Sequence, residues 1–215
     1  MAETTKKYEE RARLIDLYAV AAVNLYGVLP VDVFCKIFNS HKNGLLEEKE
    51  ATEVLKKFSG RDYMLIDGNL VYAVGENVKA LTKTILKQTE GKPRYVPNCK
   101  EDFLKHLDLY YTEIPEVLEK IEKIFEKVLK HKNEVSLLMG EFLQMLKLDY
   151  PLQEFASLVD GYEMRFDTPE DGNTYFALVI EAKNNSRTWT NKGFTPLQMA
   201  ALKQRMQAMP EESGQ

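Results

Sequence analysis

"RDYMLIDGNLVYAVG" (residues 61–75) is the stretch on which the fold turns. Two runs rich in aromatic and branched aliphatic residues flank Asp67-Gly68-Asn69, residue types that tolerate the positive φ of a tight turn. The pattern predicts a two-stranded β-hairpin. Upstream of it the apolar spacing changes from two to three and four. Ala12, Ile15, Tyr18 or Ala19, Ala22 and Leu25 share one face of a long helix over Tyr8 to Tyr26, stopped by Gly27. "LPVDVFCKIFNSHKNG" (29–44) predicts a second, short helix with Val33, Phe34, Ile37 and Phe38 inward, Pro30 in its first turn and Gly44 beyond its end. "LEEKEATEVLKKFSG" (46–60) predicts a third, with Ala51, Val54, Leu55 and Phe58 inward, acids in the first turn, lysines in the last and Gly60 after it.

Three helices closing on a hairpin is an element order that resembles a winged-helix domain, a relative of helix-turn-helix. That resemblance implies DNA binding through the third helix, which would then present Lys or Arg to phosphates. Here it carries Glu47, Glu48, Glu50 and Glu53 against Lys49, Lys56 and Lys57, and "DYMLIDGNLVYAV" (62–74) adds two Asp and no base. Acids in the half that meets bases repel the phosphate backbone. The expected use of this region is therefore packing or protein docking.

Beyond residue 77 the chain reads as almost wholly helical. Segments 77–93, 95–111, 114–133, 133–151, 151–161 and 168–185 each read as a helix, the last starting at Thr168 or nearer Thr174, with Asn98 and Glu101 at the spacing of a reciprocal N-terminal cap. In "IPEVLEKIEKIFEKVLKHKN" (114–133), Val117, Leu118, Ile121, Phe125 and Val128 share a face. Glu116 to Lys120, Glu119 to Lys123 and Glu126 to Lys130 have the favourable order for ion pairs. The expected architecture is mainly α: a winged-helix-like N-terminal region of three helices plus a β-hairpin (1–76), a helical bundle (77–210) and a disordered tail (211–215).

Of the 215 residues, 44% are hydrophobic and 10% aromatic, enough to bury a core. A formal charge of −4 and a pI near 5.6 argue against wholesale binding to nucleic acid or membrane, and leave room only for local basic patches. The longest uncharged apolar stretch, "LYAVAAVNLYGVLPV" (17–31), is shorter than the roughly 18–20 residues of a membrane span. "MAETTKKYEERARL" (1–14) mixes Glu among its bases, unlike a secretory signal. A cytoplasmic location is expected, and Cys35 and Cys99 as the two cysteines fit a reducing compartment.

The chain contains no Gly-rich phosphate loop, no Gly-x-Ser-x-Gly, no His-Glu-x-x-His and no Cys-x-x-Cys. His41, His106 and His131 fall in unrelated segments and read as surface or helix-end residues. Cys35 lies among Phe34, Ile37 and Phe38 and reads as a small core residue. Cys99, just after Asn98 at a helix start, is a weak nucleophile candidate without an identifiable base. The expectation is a non-enzymatic protein, with no catalytic residue, metal ligand or cofactor; an enzyme whose site forms only in three dimensions is the third alternative.

Charge divides the C-terminal third. Residues 149–181 hold eight acids against Arg165, whereas residues 182–210 hold Lys183, Arg187, Lys192, Lys203 and Arg205 with no acid. Within that basic part "FTPLQM" (194–199) is a helix start: Thr195 is the N-cap, Pro196 the first helical residue, Gln198 reaches back, and Phe194 and Met199 have staple spacing. "NNSRTWTNKG" (184–193) holds the sole Trp of the chain. Asn184, Asn185, Arg187, Trp189, Gly193, Thr195 and Pro196, with Ser186 where Thr is usual, resemble an Asn-Asn-Thr-Arg-x-Trp-x-x-x-Gly-x-Thr-Pro pattern. That pattern occurs in a family of Firmicutes and phage-associated helical proteins without an established activity. "NLYGVLP" (24–30) is similar to their start. Some of those proteins carry a C-terminal zinc motif of the SecA type; here no Cys follows Cys99, so no metal function carries over. The resemblance implies a bacterial protein.

The leading expectation is a protein-binding or regulatory module with Asn184, Asn185, Arg187, Trp189 and Lys192 as its contact surface and a protein as its partner. It requires a partly exposed Trp189 and an Arg187 that can be removed without loss of stability. The alternative is nucleic-acid binding through segment 182–210, with Trp189 as a stacking platform.

Overall fold

A computed structural model describes residues 2–73, 77–129 and 132–208. The tail 211–215 and His131, both read from the sequence above, lie outside the described residues. The chain is mainly helical with a small antiparallel sheet, and its contacts divide it into two compact units, 1–111 and 112–215.

The first unit opens with α1 (Ala2–Tyr26), which ends where Gly27 takes a φ of 69° and donates its N–H to Val23 O (2.8 Å). That left-handed turn, which a Cβ would oppose, sends the chain straight into β1 (Val28–Pro30). There follow α2 (Val31–Ser40), α3 (Glu48–Phe58) and the hairpin β2 (Tyr63–Ile66) and β3 (Asn69–Tyr72). Asp67 (φ 49°) and Gly68 (φ 75°) make the two-residue turn expected from the sequence. The sheet order is β1-β3-β2, with Leu29 opposite Leu70 and Tyr63 opposite Tyr72, and the element order is the winged-helix-like one expected, three helices and a hairpin. β1 is an addition to the expected hairpin: Pro30 both ends the strand and precedes α2.

The core of this unit is aromatic. Tyr18 of α1 stacks on Phe103 (centroids 5.0 Å) and meets Phe38 of α2 edge-on (4.8 Å). Its hydroxyl lies 3.1 Å from His41 Nδ1, while His41 Nε2 reaches Pro97 O at 2.9 Å. A carbonyl can only accept, so Nε2 carries the hydrogen and Nδ1 accepts from Tyr18. The imidazole thereby joins the end of α2 to the loop before residue 100.

Helix α4 (Val78–Thr89) begins at Asn77, whose side chain accepts from Ala80 N (3.3 Å). Helix α5 (Lys100–Leu104) and a 3-10 turn (Lys105–Leu107) close the unit. The sequence boundary at 76/77 and the contact boundary at 111/112 differ because α5 and the 3-10 turn pack on α1. Buried Asn24 of α1 donates to His106 O (3.0 Å) and Leu107 O (3.3 Å). The reciprocal cap expected of Asn98 and Glu101 is replaced one residue later. Cys99 is the N-cap residue, and its thiol donates to Asp102 Oδ2 (3.3 Å).

The second unit contains α6 (Pro115–Val128), α7 (Lys132–Lys147), α8 (Leu152–Gly161), α9 (Pro169–Asn185) and α10 (Pro196–Ala208). The first four close on Ile121, Phe125, Phe142, Phe155, Tyr175 and Val179, all fully buried. Thr168 caps α9 by accepting from Asp171 N (3.1 Å). Among the described residues the expected pairs Glu116–Lys120 and Glu119–Lys123 are not closed; Lys127 reaches across to Asp167 (3.2 Å) and Asp171 (3.4 Å) instead. Lys130 lies outside the described residues. No helix among the described residues is long and apolar enough to cross a membrane.

In the first unit Tyr63 of β2 donates to Asp16 Oδ1 of α1 (2.8 Å). Burial raises the Asp16 carboxyl above its usual range, and the Tyr63 bond opposes that rise. A raised folded value means that the folded state holds the proton longer, so ionising Asp16 lowers stability as pH rises. Removing the donor adds to that loss. Tyr63→Phe is expected to cost about 1–2 kcal/mol at pH 7, less once pH falls below the ordinary carboxylate range and Asp16 is protonated in both states. Urea unfolding at the two pH values measures the difference.

Candidate functional site

The segment that the sequence singled out is built as a clamp. After α9 the chain makes a compact loop in which Gly193 N donates to Thr188 O (3.0 Å), Thr188 N to Phe194 O (3.3 Å) and Lys192 N to Trp189 O (3.0 Å). Lys192 (φ 51°) and Gly193 (φ 83°) supply the left-handed residues that fold it back. Trp189 N donates to Lys147 O (2.7 Å), tying the loop to the end of α7. Arg187 closes it: Nη1 donates to Gly193 O (2.8 Å) and Gln198 Oε1 (3.3 Å), and Nε and Nη2 donate to Glu113 Oε1 (3.0 and 2.6 Å). The helix start is as the sequence predicts, with Gln198 N on Thr195 Oγ1 (3.1 Å) and Thr195 N on Gln198 Oε1 (3.2 Å).

This geometry corrects the expectation of a partly exposed Trp189. The indole-bearing residue is 1% exposed and the Arg187 side chain 9%. Neither a stacking platform nor a free guanidinium is presented there. Asn185 is likewise turned back, its Nδ2 donating to Glu181 O (2.9 Å), while Asn184 is exposed and Lys192 half-buried. Of the remaining bases in segment 182–210, Lys183 holds Asp149 (2.9 Å), whereas Lys203 and Arg205 are exposed on α10. The acidic and basic halves of this third thus compensate each other in part within the bundle.

One concave surface lies on the first unit. A groove of about 510 Å³ runs between the start of α2, the outer face of α3 and the β2–β3 turn. Val31, Thr52 and Leu65 contribute its less polar lining; Asp32, Glu48 and Asp67 stand around them, with Lys56 as the one base. Lys36 donates to Asp32 Oδ2 (2.9 Å) and holds that carboxyl below its usual range. Glu50 is withdrawn from the face by Arg11, whose Nε and Nη2 meet its two oxygens at 2.5 and 3.0 Å, joining α1 to α3. Glu47, Glu48 and Glu53 remain exposed on α3, as do Asp62 and Asp67 on the hairpin. In a winged helix this is the face that would meet a duplex. The sequence showed its acids; their arrangement around one groove needed the fold.

The nucleophile and base candidates do not converge. Cys35 is buried, and burial together with nearby Glu48 pushes its thiol up to about 11. Cys99 is directed to a carboxylate, and His41 joins Tyr18 to Pro97. His106 is buried with Tyr111 edge-on at 5.0 Å. Among the described residues no group of three His, Cys, Asp or Glu side chains could hold a metal ion. Comparison with protein-family models, curated proteins and solved structures finds no match.

Trp189 is the sole Trp of the chain, so its emission reports this clamp alone. Native emission is expected to be blue-shifted and resistant to iodide quenching, moving red on unfolding. Trp189→Ala should cost about 3–5 kcal/mol and Arg187→Ala about 2 kcal/mol, both read from urea unfolding. An exposed emission spectrum with an unaltered midpoint for Arg187→Ala would return both residues to a contact surface.

Proposed function

We propose that the protein is a non-enzymatic binding or regulatory module of the bacterial cytosol that docks a Lys- or Arg-bearing protein segment in the groove between α3 and the wing. The observation that carries this reading is the acidic rim of that groove, Asp32, Glu48 and Asp67, around Val31, Thr52 and Leu65. The groove holds three carboxylates against Lys56, so a duplex brought to it would meet a net repulsion that grows as salt falls. A cationic side chain on an aliphatic stem matches both the rim and the less polar lining. The bacterial assignment rests on the resemblance carried by Asn184 to Pro196 and Asn24 to Pro30. A regulatory role fits a winged helix turned from nucleic acid to protein, because the fold sets the shape of the groove and the side chains set its partner.

Affinity capture from a native bacterial lysate, with and without nuclease, tests the reading. Wild-type protein is expected to recover partners that survive nuclease. Glu48→Lys with Asp67→Lys should reduce their recovery about tenfold or more. Both positions are exposed, but Asp67 holds a positive φ in the turn and Glu48 stands in the first turn of α3, so the pair of changes should cost about 1–2 kcal/mol and leave the fold intact. Capture that disappears with nuclease would favour nucleic acid, with Lys203 and Arg205 the first bases to examine; capture indifferent to the double reversal would remove the groove from the account.

A further inference from the structure

Helix α10 is poorly employed by its own unit. Of its described side chains Met199 is buried and Pro196 and Leu202 are half-buried, while Leu197 (58%) and Met206 (69%) stand in solvent. Met199, Leu202 and Met206 lie on one stripe by their three- and four-residue spacing, so the stripe is covered at the start of the helix and bare at its end. Lys203 and Arg205 flank Met206, and the helix carries no acid. A helix of about this length is marginal in water unless tertiary contacts hold it. The capping box secures its first turn, and nothing among the described residues covers its last.

The same unit carries a surface of opposite character. A groove of about 380 Å³ lies between α7 and α8. Met145, Leu148 and Leu158 form its apolar floor, Tyr150 and Tyr162 are aromatic members of its wall, and Glu141 and Glu154 are its charged groups, with no base in the lining. Tyr162 donates its hydroxyl to Glu141 Oε2 (3.0 Å), which fixes that carboxylate in place. Lys183 does not neutralise the groove, because its ammonium donates to Asp149 Oδ1 (2.9 Å) and to Tyr150 O. No residue of α10 lines this groove within the chain.

We infer that the last turns of α10 seat in the α7–α8 groove of a second copy of this chain, Met206 on the floor of Met145, Leu148 and Leu158, Lys203 and Arg205 against Glu141 and Glu154. The fit is one of charge and of polarity together: two cations around a methionine meet two carboxylates around an apolar floor. Methionine suits such a seat, since its flexible thioether fills irregular apolar gaps and contacts aromatic edges. The groove and the helix are different patches, so two copies satisfy both by exchanging helices around a two-fold axis, and further copies extend the assembly if that rotation does not close. This docking is independent of the α3–wing groove.

Charge exchange tests it at little cost to the fold, since Glu141, Glu154, Lys203 and Arg205 are all exposed and the Tyr162–Glu141 hydrogen bond that is lost lies at the surface. Sedimentation velocity over a concentration series is expected to show wild-type protein associating, more weakly at high salt. Glu141→Lys with Glu154→Lys, and separately Lys203→Glu with Arg205→Glu, should each weaken self-association about tenfold or more. An equimolar mixture of the two variants restores it, because every reversed groove then has a reversed helix and every native groove a native one. Glu48→Lys with Asp67→Lys should leave the wild-type mass distribution unchanged. A wild-type chain that stays monomeric throughout, or reversed variants that associate as wild type does, would overturn the inference, as would a mixture that fails to regain mass.

Discussion

The hairpin of the first unit is placed by the pairing of β1 with β3, and that pairing starts at Gly27. The positive φ there ends a 25-residue helix and starts a strand with no connecting loop. Gly27 O then accepts from Tyr72 N (2.8 Å), so the residue that stops α1 also accepts from the far end of the hairpin. With β1 in place, Leu29 and Leu70 are buried and opposed, and the N–H of Val31 reaches Gly68 O (3.0 Å) at the start of α2. The turn between β2 and β3 is thereby fixed beside α2 and α3. The groove proposed as the docking site exists because these hydrogen bonds hold the turn there.

A winged-helix frame with acids on its outer face separates fold from function. The packing face of α3, with Ala51, Val54 and Leu55 buried, is set by the hydrophobic effect and is indifferent to what its outer side carries. The proposed docking rests on the charge of that outer side. In the second unit α6 to α9 form a closed core, and α10 buries only its beginning.

The elements most legible in the sequence were those with local causes. Asp67-Gly68 specifies its turn through backbone tolerance, Thr195 to Gln198 specifies its helix start through two side-chain hydrogen bonds, and the apolar stripe of α6 faces the core as its spacing predicts. What escaped has long-range causes. β1 is three residues long, too short for any alternation to show, and becomes a strand through β3, some 40 residues away. The boundary at 111/112 follows from Asn24 bonding carbonyls of residues 106 and 107, which no local pattern announces. Trp189 sits in a run of Asn, Ser, Thr and Lys that reads as surface, yet it is buried while Arg187 satisfies the loop's carbonyl and a glutamate. Of the positions that carried the resemblance, Gly27 and Gly193 set the backbone course through a positive φ, Asn24 ties α1 to residues 106 and 107, and Arg187 and Trp189 hold the loop after α9.

The central claim is that the outer face of the winged helix meets a cationic protein segment and not a nucleic acid. Backbone amide NMR spectra recorded at low salt during titration with an Arg- and Lys-rich peptide, and separately with a random duplex, test it most directly. The account predicts peptide-dependent shifts concentrated at Asp32, Glu48, Thr52, Leu65 and Gly68, with no change at those residues on adding duplex. Shifts of the same residues by duplex, or a peptide response that bypasses them, would contradict it.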